Sequence, residues 1–219
     1  MKPTIRWKQE RLTGKELRMQ SIIEAAEQVF TRKGFEKATM QDIAEEVNIG
    51  IATVFRYFPK KEKLIVAVAS RSVSSRITIF QEIRNMPITG IEKLEKLFDY
   101  FISLPEKDRE STKLLEAFEN FAAQSEEPLE DIKNYNDSLH EVSQIFFNII
   151  SDGEIDNSIR SDIPLRDTVS SITNMFAIFS KKLSLHQDIV MLESDVDPNR
   201  QLLITKKILI DYLKASPVT

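Results

Sequence analysis

The chain has 219 residues, 42% hydrophobic and 29% charged, with net charge −4 and mean hydropathy −0.26, a composition that folds and excludes general disorder. No apolar run approaches the roughly 20 residues that cross a bilayer, and Met1–Thr13 is basic with no apolar stretch behind it, so no membrane partner and a cytoplasmic location are expected. The absence of cysteine excludes disulfides and thiolate metal sites. The two histidines, His140 and His186, are far apart, and no metal or other cofactor is expected.

Charge is unevenly divided. Residues 1–65 hold 13 Lys and Arg against 9 Asp and Glu, a balance of +4, whereas residues 66–219 carry 17 against 25, a balance of −8. A locally positive module on an acidic body suits attraction to a polyanion at one end and repulsion elsewhere, although a few charges also vary by chance on solvated surfaces.

Five glycines in the whole chain and apolar spacings of three and four predict an all-α fold of about nine helices. The leading arm carries Arg6, Trp7, Lys8 and Arg11, followed by Lys15 and Arg18; it is either a disordered tail or a segment that reaches phosphates or a minor groove. The first helix is expected from about Glu16 to Lys33, with Ile22, Ile23, Ala26, Val29 and Phe30 as its apolar stripe. Gly34 would supply a left-handed stop, and Phe35 would turn back onto the stripe. Thr39 and Asp42 have capping-box spacing and would start a short helix from Met40 to Val47, ended by Asn48 in the left-handed region. A third helix, Ile51–Tyr57, follows, with Val54 and Phe58 facing inward and Pro59 stopping it. Two short helices joined by a tight turn and packed on a longer one make a helix-turn-helix, whose second helix enters the major groove of DNA.

The ordered series is Ile22-Ile23-Glu24-Ala25-Ala26 through Phe30 and Gly34-Phe35; then Thr39-Met40-Gln41-Asp42-Ile43-Ala44; then Ala52-Thr53-Val54-Phe55-Arg56-Tyr57-Phe58-Pro59-Lys60-Lys61-Glu62-Lys63-Leu64. It resembles the tetracycline-repressor (TetR-like) family. The resemblance implies a ligand-responsive regulator, usually a repressor, that binds a palindromic operator in double-stranded DNA as a homodimer and is released by a small-molecule effector. It divides the chain into a DNA-binding domain at 1–60 and a helical ligand-binding and dimerisation domain at 61–219, with 61–84 as a connecting helix. DNA contacts would fall on Thr39, Gly50, Ile51, Ala52, Thr53, Phe55, Tyr57 and Lys61. Lys61, Tyr57 and Thr39 would hold phosphates, and Ile51, Ala52 and Thr53 would meet base edges, where contact with thymine methyls is the chemistry open to Ile and Ala. Phe55 stands where a tyrosine often contacts phosphate in the family, so one hydroxyl is missing.

Beyond Leu64, helix breaks are expected at Met86-Pro87 and Gly90, Leu104-Pro105, Pro128, Asp152-Gly153, Pro164 and Pro198. The stripes between them include Leu94, Leu97, Phe98 and Phe101, then Leu114, Leu115, Phe118 and Phe121, then Ile132, Tyr135, Leu139, Val142, Phe146 and Ile149. Periodic aromatics ordinarily pack a core. A bundle lined by Phe98, Phe118, Phe121, Tyr135 and Phe146 would also enclose an apolar or aromatic effector. The last two helices, about Pro164–His186 and Pro198–Lys214, would form the dimer interface by the same resemblance, through Val169, Ile172, Phe176, Phe179, Leu202, Leu209 and Leu213. An enzyme built on a helical bundle would need converging polar groups, and His140-Glu141, Ser151-Asp152 and Ser180-Lys181 lack partners in the sequence. The apolar Gly50-Ile51-Ala52 run leaves a second alternative, a relative that acts through protein contacts instead of DNA.

Overall fold

The computed structural model describes residues 3–185 and 197–215. Among these, nine helices follow in order: α1 Pro3–Lys37, α2 Met40–Glu46, α3 Ile51–Tyr57, α4 Lys61–Arg84, α5 Gly90–Lys107, α6 Arg109–Gln124, α7 Ile132–Ile155, α8 Leu165–Leu185 and α9 Pro198–Leu213. The all-α expectation holds. An isolated bridge between Ile159 and Lys214 is the one extended pairing among the described residues.

Three boundaries differ from those read in the sequence. Helix α1 begins at Pro3 and not near Glu16. Proline is suited to the first turn, where its missing N–H would have no intrahelical partner, and no breaker stands between it and Gly34 except the isolated Gly14. Helix α5 runs through Pro105 to Lys107. Pro105 has no N–H for the carbonyl of Phe101, and the buried Ser180 hydroxyl of α8 donates to that carbonyl at 3.1 Å. Helix α7 likewise continues through Gly153 to Ile155. This glycine answers a packing need: a Cβ on Gly90 would lie 2.3 Å from the Gly153 Cα, and one on Gly153 would lie 2.5 Å from Ile159 Cδ1.

The chain forms two compact units, one comprising residues up to Val73 with Leu114–Asn136, the other Ser74–Lys113 with the residues from Asp137 onward. In the first, Ile22, Ala26, Val29 and Phe30 of α1 are buried with Ile43 and Ala44 of α2, Val54 of α3, and Leu64 and Ile65 of α4. Each large aliphatic side chain removed from water in this way contributes about 1.5–3 kcal/mol. Phe35 folds back so that its ring meets Phe30 edge-on at 5.1 Å.

The second unit has its own core. Phe80, Leu94, Leu97, Phe98, Phe146, Ile149 and Phe176 are almost completely buried, joined by Ile172, Leu209 and Leu213 from the last two helices. Asp156 fixes the meeting of α5 and α7, accepting from the Gly90 N–H at 2.7 Å. Burial alone would push its carboxyl up, but hydrogen bonds from Ser158 and Gly90 outweigh this and hold it below the usual carboxylate range. The start of α9 is set as its sequence suggests, with Pro198 in the first turn and Asp197 accepting from the Asn199 N–H at 3.0 Å. Leu139, expected on an inward stripe, is 43% exposed.

Candidate nucleic-acid interface

The head is built from local signals. Gly34 adopts φ +74° and kinks α1, which ends three residues later at Lys37, and the chain re-enters helix at Met40. Thr39 Oγ1 accepts from the Asp42 N–H at 3.1 Å while Asp42 accepts from the Thr39 N–H at 3.0 Å, a complete capping box. The Asp42 carboxyl is held low first by Lys33, 2.8 Å away, and then by the Thr39 N–H. Asn48 takes φ +53°, and its neighbour Ile49 donates to the Ala44 carbonyl at 2.9 Å, closing the turn into α3. Helix α2 packs against both α1 and α3. This is the helix-turn-helix arrangement.

Helix α3 divides cleanly between inside and outside. Val54 is completely buried and Phe58, just after the helix, nearly so, while Ile51 is 37% and Phe55 44% exposed, with Gly50, Ala52 and Arg56 exposed beside them. Thr53 and Tyr57 are half-buried, and the Arg56 guanidinium lies 5.6 Å from the centroid of the Tyr57 ring. Thr39 is exposed at the start of α2, its hydroxyl oxygen already accepting within the cap. The structure thus keeps Gly50, Ile51, Ala52 and Phe55 together on the outer side of one helix. The side chains of Arg6, Trp7, Lys8 and Arg11 in the arm lie outside the described residues.

Lys61 has a partner set that the sequence did not reveal. Its ammonium donates to the backbone carbonyls of Phe35 at 2.8 Å, Ala38 at 3.1 Å and Glu36 at 3.4 Å. These carbonyls belong to the junction of α1 and α2, so Lys61 ties the start of α4 to that junction. Several other cations of the head are matched by acids. Arg32 pairs with Glu46, Lys33 with Asp42, and Arg71 with Glu24 and Glu27. Lys60 and Lys63 both reach Glu130 and Lys63 also reaches Asp131, in the loop before α7. That loop lies about 70 residues away in sequence, and spacing carries no signal for the pairing.

The five aromatic residues named as lining an effector site fall into two groups. In the first unit Phe118 meets Tyr135 edge-on at 4.7 Å, and Phe121 lies 6.0 Å from Phe35. In the second, Phe98 stacks on Phe176 at 4.5 Å, and Phe146 lies 6.0 Å from Phe80. Of the residues expected at a dimer interface, Ile172, Phe176, Leu202, Leu209 and Leu213 are buried in the core of their own unit, which leaves them little surface for a second copy. Phe179 is half-buried; the side chain of Val169 lies outside the described residues, as does His186. Helices α8 and α9 instead leave Met175, Ile178, Leu203, Ile204, Ile208 and Tyr212 between 49% and 62% exposed. Among the described residues no helix is long and apolar enough to cross a membrane, and no group of His, Asp or Glu is arranged to hold a metal ion.

A three-helix head with an outward-facing second short helix has the arrangement of a helix-turn-helix DNA-binding module. Residues 22–68 match the model of the family described as bacterial regulatory proteins, tetR family. An HTH-type transcriptional regulator of Staphylococcus aureus is 24% identical over 155 residues, covering 70% of this chain and 78% of that protein. Another, from strain USA300 of the same species, is 30% identical over 101 residues, 46% of this chain and 55% of the relative, so that this match spans about half the relative's length. Among solved structures, the transcriptional regulator FadR from Bacillus subtilis in complex with stearoyl-CoA superposes with a TM-score of 0.69 at 18% identity, covering 89% of this chain and 98% of that one. FadR from Thermus thermophilus in complex with lauroyl-CoA gives 0.61 at 16% identity, covering 92% and 98%. The segment 22–68 is thus a tetR-family helix-turn-helix, and the chain is a DNA-binding regulator, not an enzyme.

Proposed function

We propose that this protein is a ligand-responsive repressor that binds a palindromic operator as a homodimer in the cytoplasm and releases it when a small apolar effector binds. The observation that carries the DNA part is the division of α3, whose inward residues are buried in the head while Ile51, Ala52 and Phe55 face out. Thr39, Thr53 and Tyr57 flank that face with hydroxyls suited to phosphate or base edges. The natural functional division is a DNA-binding head at 1–60 and an effector and dimerisation body at 61–219, joined by α4.

Dimerisation is supported by the exposed apolar side chains of α8 and α9, which a second copy would cover through a two-fold axis. Two identical heads so related need two inverted half-sites, hence a palindrome. An apolar effector is supported by the phenylalanine-rich interior of the second unit and by the acyl-CoA ligands of the two FadR neighbours. The test is selection of bound fragments from random and upstream genomic DNA, with salt titration of the winner. An enriched inverted repeat is expected; a folded dimer that enriches no sequence at low salt refutes operator binding.

A further inference from the structure

Three exposed side chains of α3, beside the exposed Arg56, are unusual in what they lack. Ile51, Ala52 and Phe55 can neither donate nor accept a side-chain hydrogen bond, and they lie at i, i+1 and i+4, close enough on a helix to form one surface. Most features that distinguish base pairs in the major groove are hydrogen-bonding groups. The thymine C5 methyl is the apolar one.

Gly50 adds an independent observation. It is the N-cap of α3, a position where Ser, Thr, Asp or Asn would satisfy a free N–H, yet no side-chain cap is made. Its backbone, at φ −66° and ψ 139°, suits any residue, and a Cβ there would meet nothing within 4 Å. Glycine is itself favoured at an N-cap, and here its missing side chain leaves room for another molecule to approach the start of α3 closely.

Resting on the reading of this chain as an operator-binding regulator, we infer that Ile51, Ala52 and Phe55 read thymine methyl groups. Each operator half-site therefore presents thymines beneath α3, selected by apolar contact and not by hydrogen bonds from these three side chains. The test uses the full chain and the operator enriched by selection. Each thymine of a half-site is replaced in turn by deoxyuridine, which removes the C5 methyl and leaves pairing and every hydrogen-bonding group in place, and affinity is read by fluorescence anisotropy at fixed salt.

Affinity is expected to fall about fourfold for each methyl covered by Ile51 or Phe55, the value of one buried methyl-sized group. Ile51→Ala and Phe55→Ala should each weaken binding to the thymine operator and erase most of the deoxyuridine penalty at one position, with melting temperatures close to the parent's because neither side chain belongs to the buried core. Equal affinity for the deoxyuridine operators, or penalties undiminished in both variants, would overturn the inference while the intact operator still outcompeted scrambled DNA. Failure to enrich any sequence is a different result: it refutes operator binding itself, and the inference with it.

Discussion

Replacing Lys61 by methionine keeps the length and apolar stem of the side chain and removes only its ammonium. In the parent protein that group donates to three carbonyls at the α1–α2 junction, two within 3.1 Å and the third at 3.4 Å. Charged hydrogen bonds contribute about 1.5–3 kcal/mol each in general. Here the site is only partly buried and water would replace part of what is removed, so about 2–3 kcal/mol is expected for the set. For a chain of this size, that lowers the melting temperature by roughly 5–10 °C. Thermal unfolding followed by circular dichroism measures the first effect, and operator binding across a range of salt concentrations measures the second. If Lys61 holds the head together, Lys61→Met should weaken DNA binding by a similar factor at every salt concentration and leave the slope of log affinity against log salt unchanged. A direct phosphate clamp predicts the opposite: an unchanged melting temperature and a slope shallower by about 0.9 for each phosphate no longer neutralised. That second pattern would refute the structural role drawn from the geometry.

The same logic extends to three other sites. Gly90→Ala would put a methyl group 2.3 Å from the Gly153 Cα, a clash between two backbones that no rotamer relieves, and should destabilise the protein by about 1–3 kcal/mol in chemical denaturation; a stability equal to the parent would show that the two helices separate freely. Ile178→Glu together with Ile208→Glu places charge on the exposed face of α8 and α9, where the side chains are 61% and 62% exposed. If the proposed homodimer forms through this face, analytical ultracentrifugation should then find a folded monomer, and a dimer in both proteins would move the interface elsewhere. Asp42, Glu92 and Asp156 are all held below their ordinary values, Glu92 first by the Thr89 hydroxyl and then by the Thr89 N–H. A depressed carboxyl stabilises the fold above its unfolded value and ceases to do so as pH falls through its folded value. Stability should therefore decline on acidification below about pH 4, and Asp42→Asn should reduce that decline in urea titrations at several pH values.

Much of the head could be read directly from the chain because its signals are local. Thr39 and Asp42, Asn48, Gly34 and Pro59 act on residues within four positions, and α2 and α3 form where those residues direct. Helix ends were less legible wherever the deciding partner was remote. Pro105 reads as a break until Ser180 of α8 takes up the carbonyl that the proline leaves without a donor. Gly153 reads as a break until its close approach to Gly90 is seen.

Helix α9 shows most clearly why periodicity stops short. Its sequence is apolar on more than one side, with Leu202, Leu209 and Leu213 in one set and Leu203, Ile204, Ile208 and Tyr212 in another. A 3.6-residue repeat establishes that a helix forms but cannot rank two apolar faces, since either would gain by leaving water. The packing of α5, α8 and α9 buries the first set and exposes the second. Lys61 is a parallel case: its place in the motif was plain, but its carbonyl partners lie 23 to 26 residues away. The helices, their caps and the order of the helix-turn-helix are written in the chain itself, because they depend on near neighbours and on the amount of apolar surface. Which apolar face lies inward, and which charges are already paired, is settled by packing, because both depend on what distant segments bring to the same place.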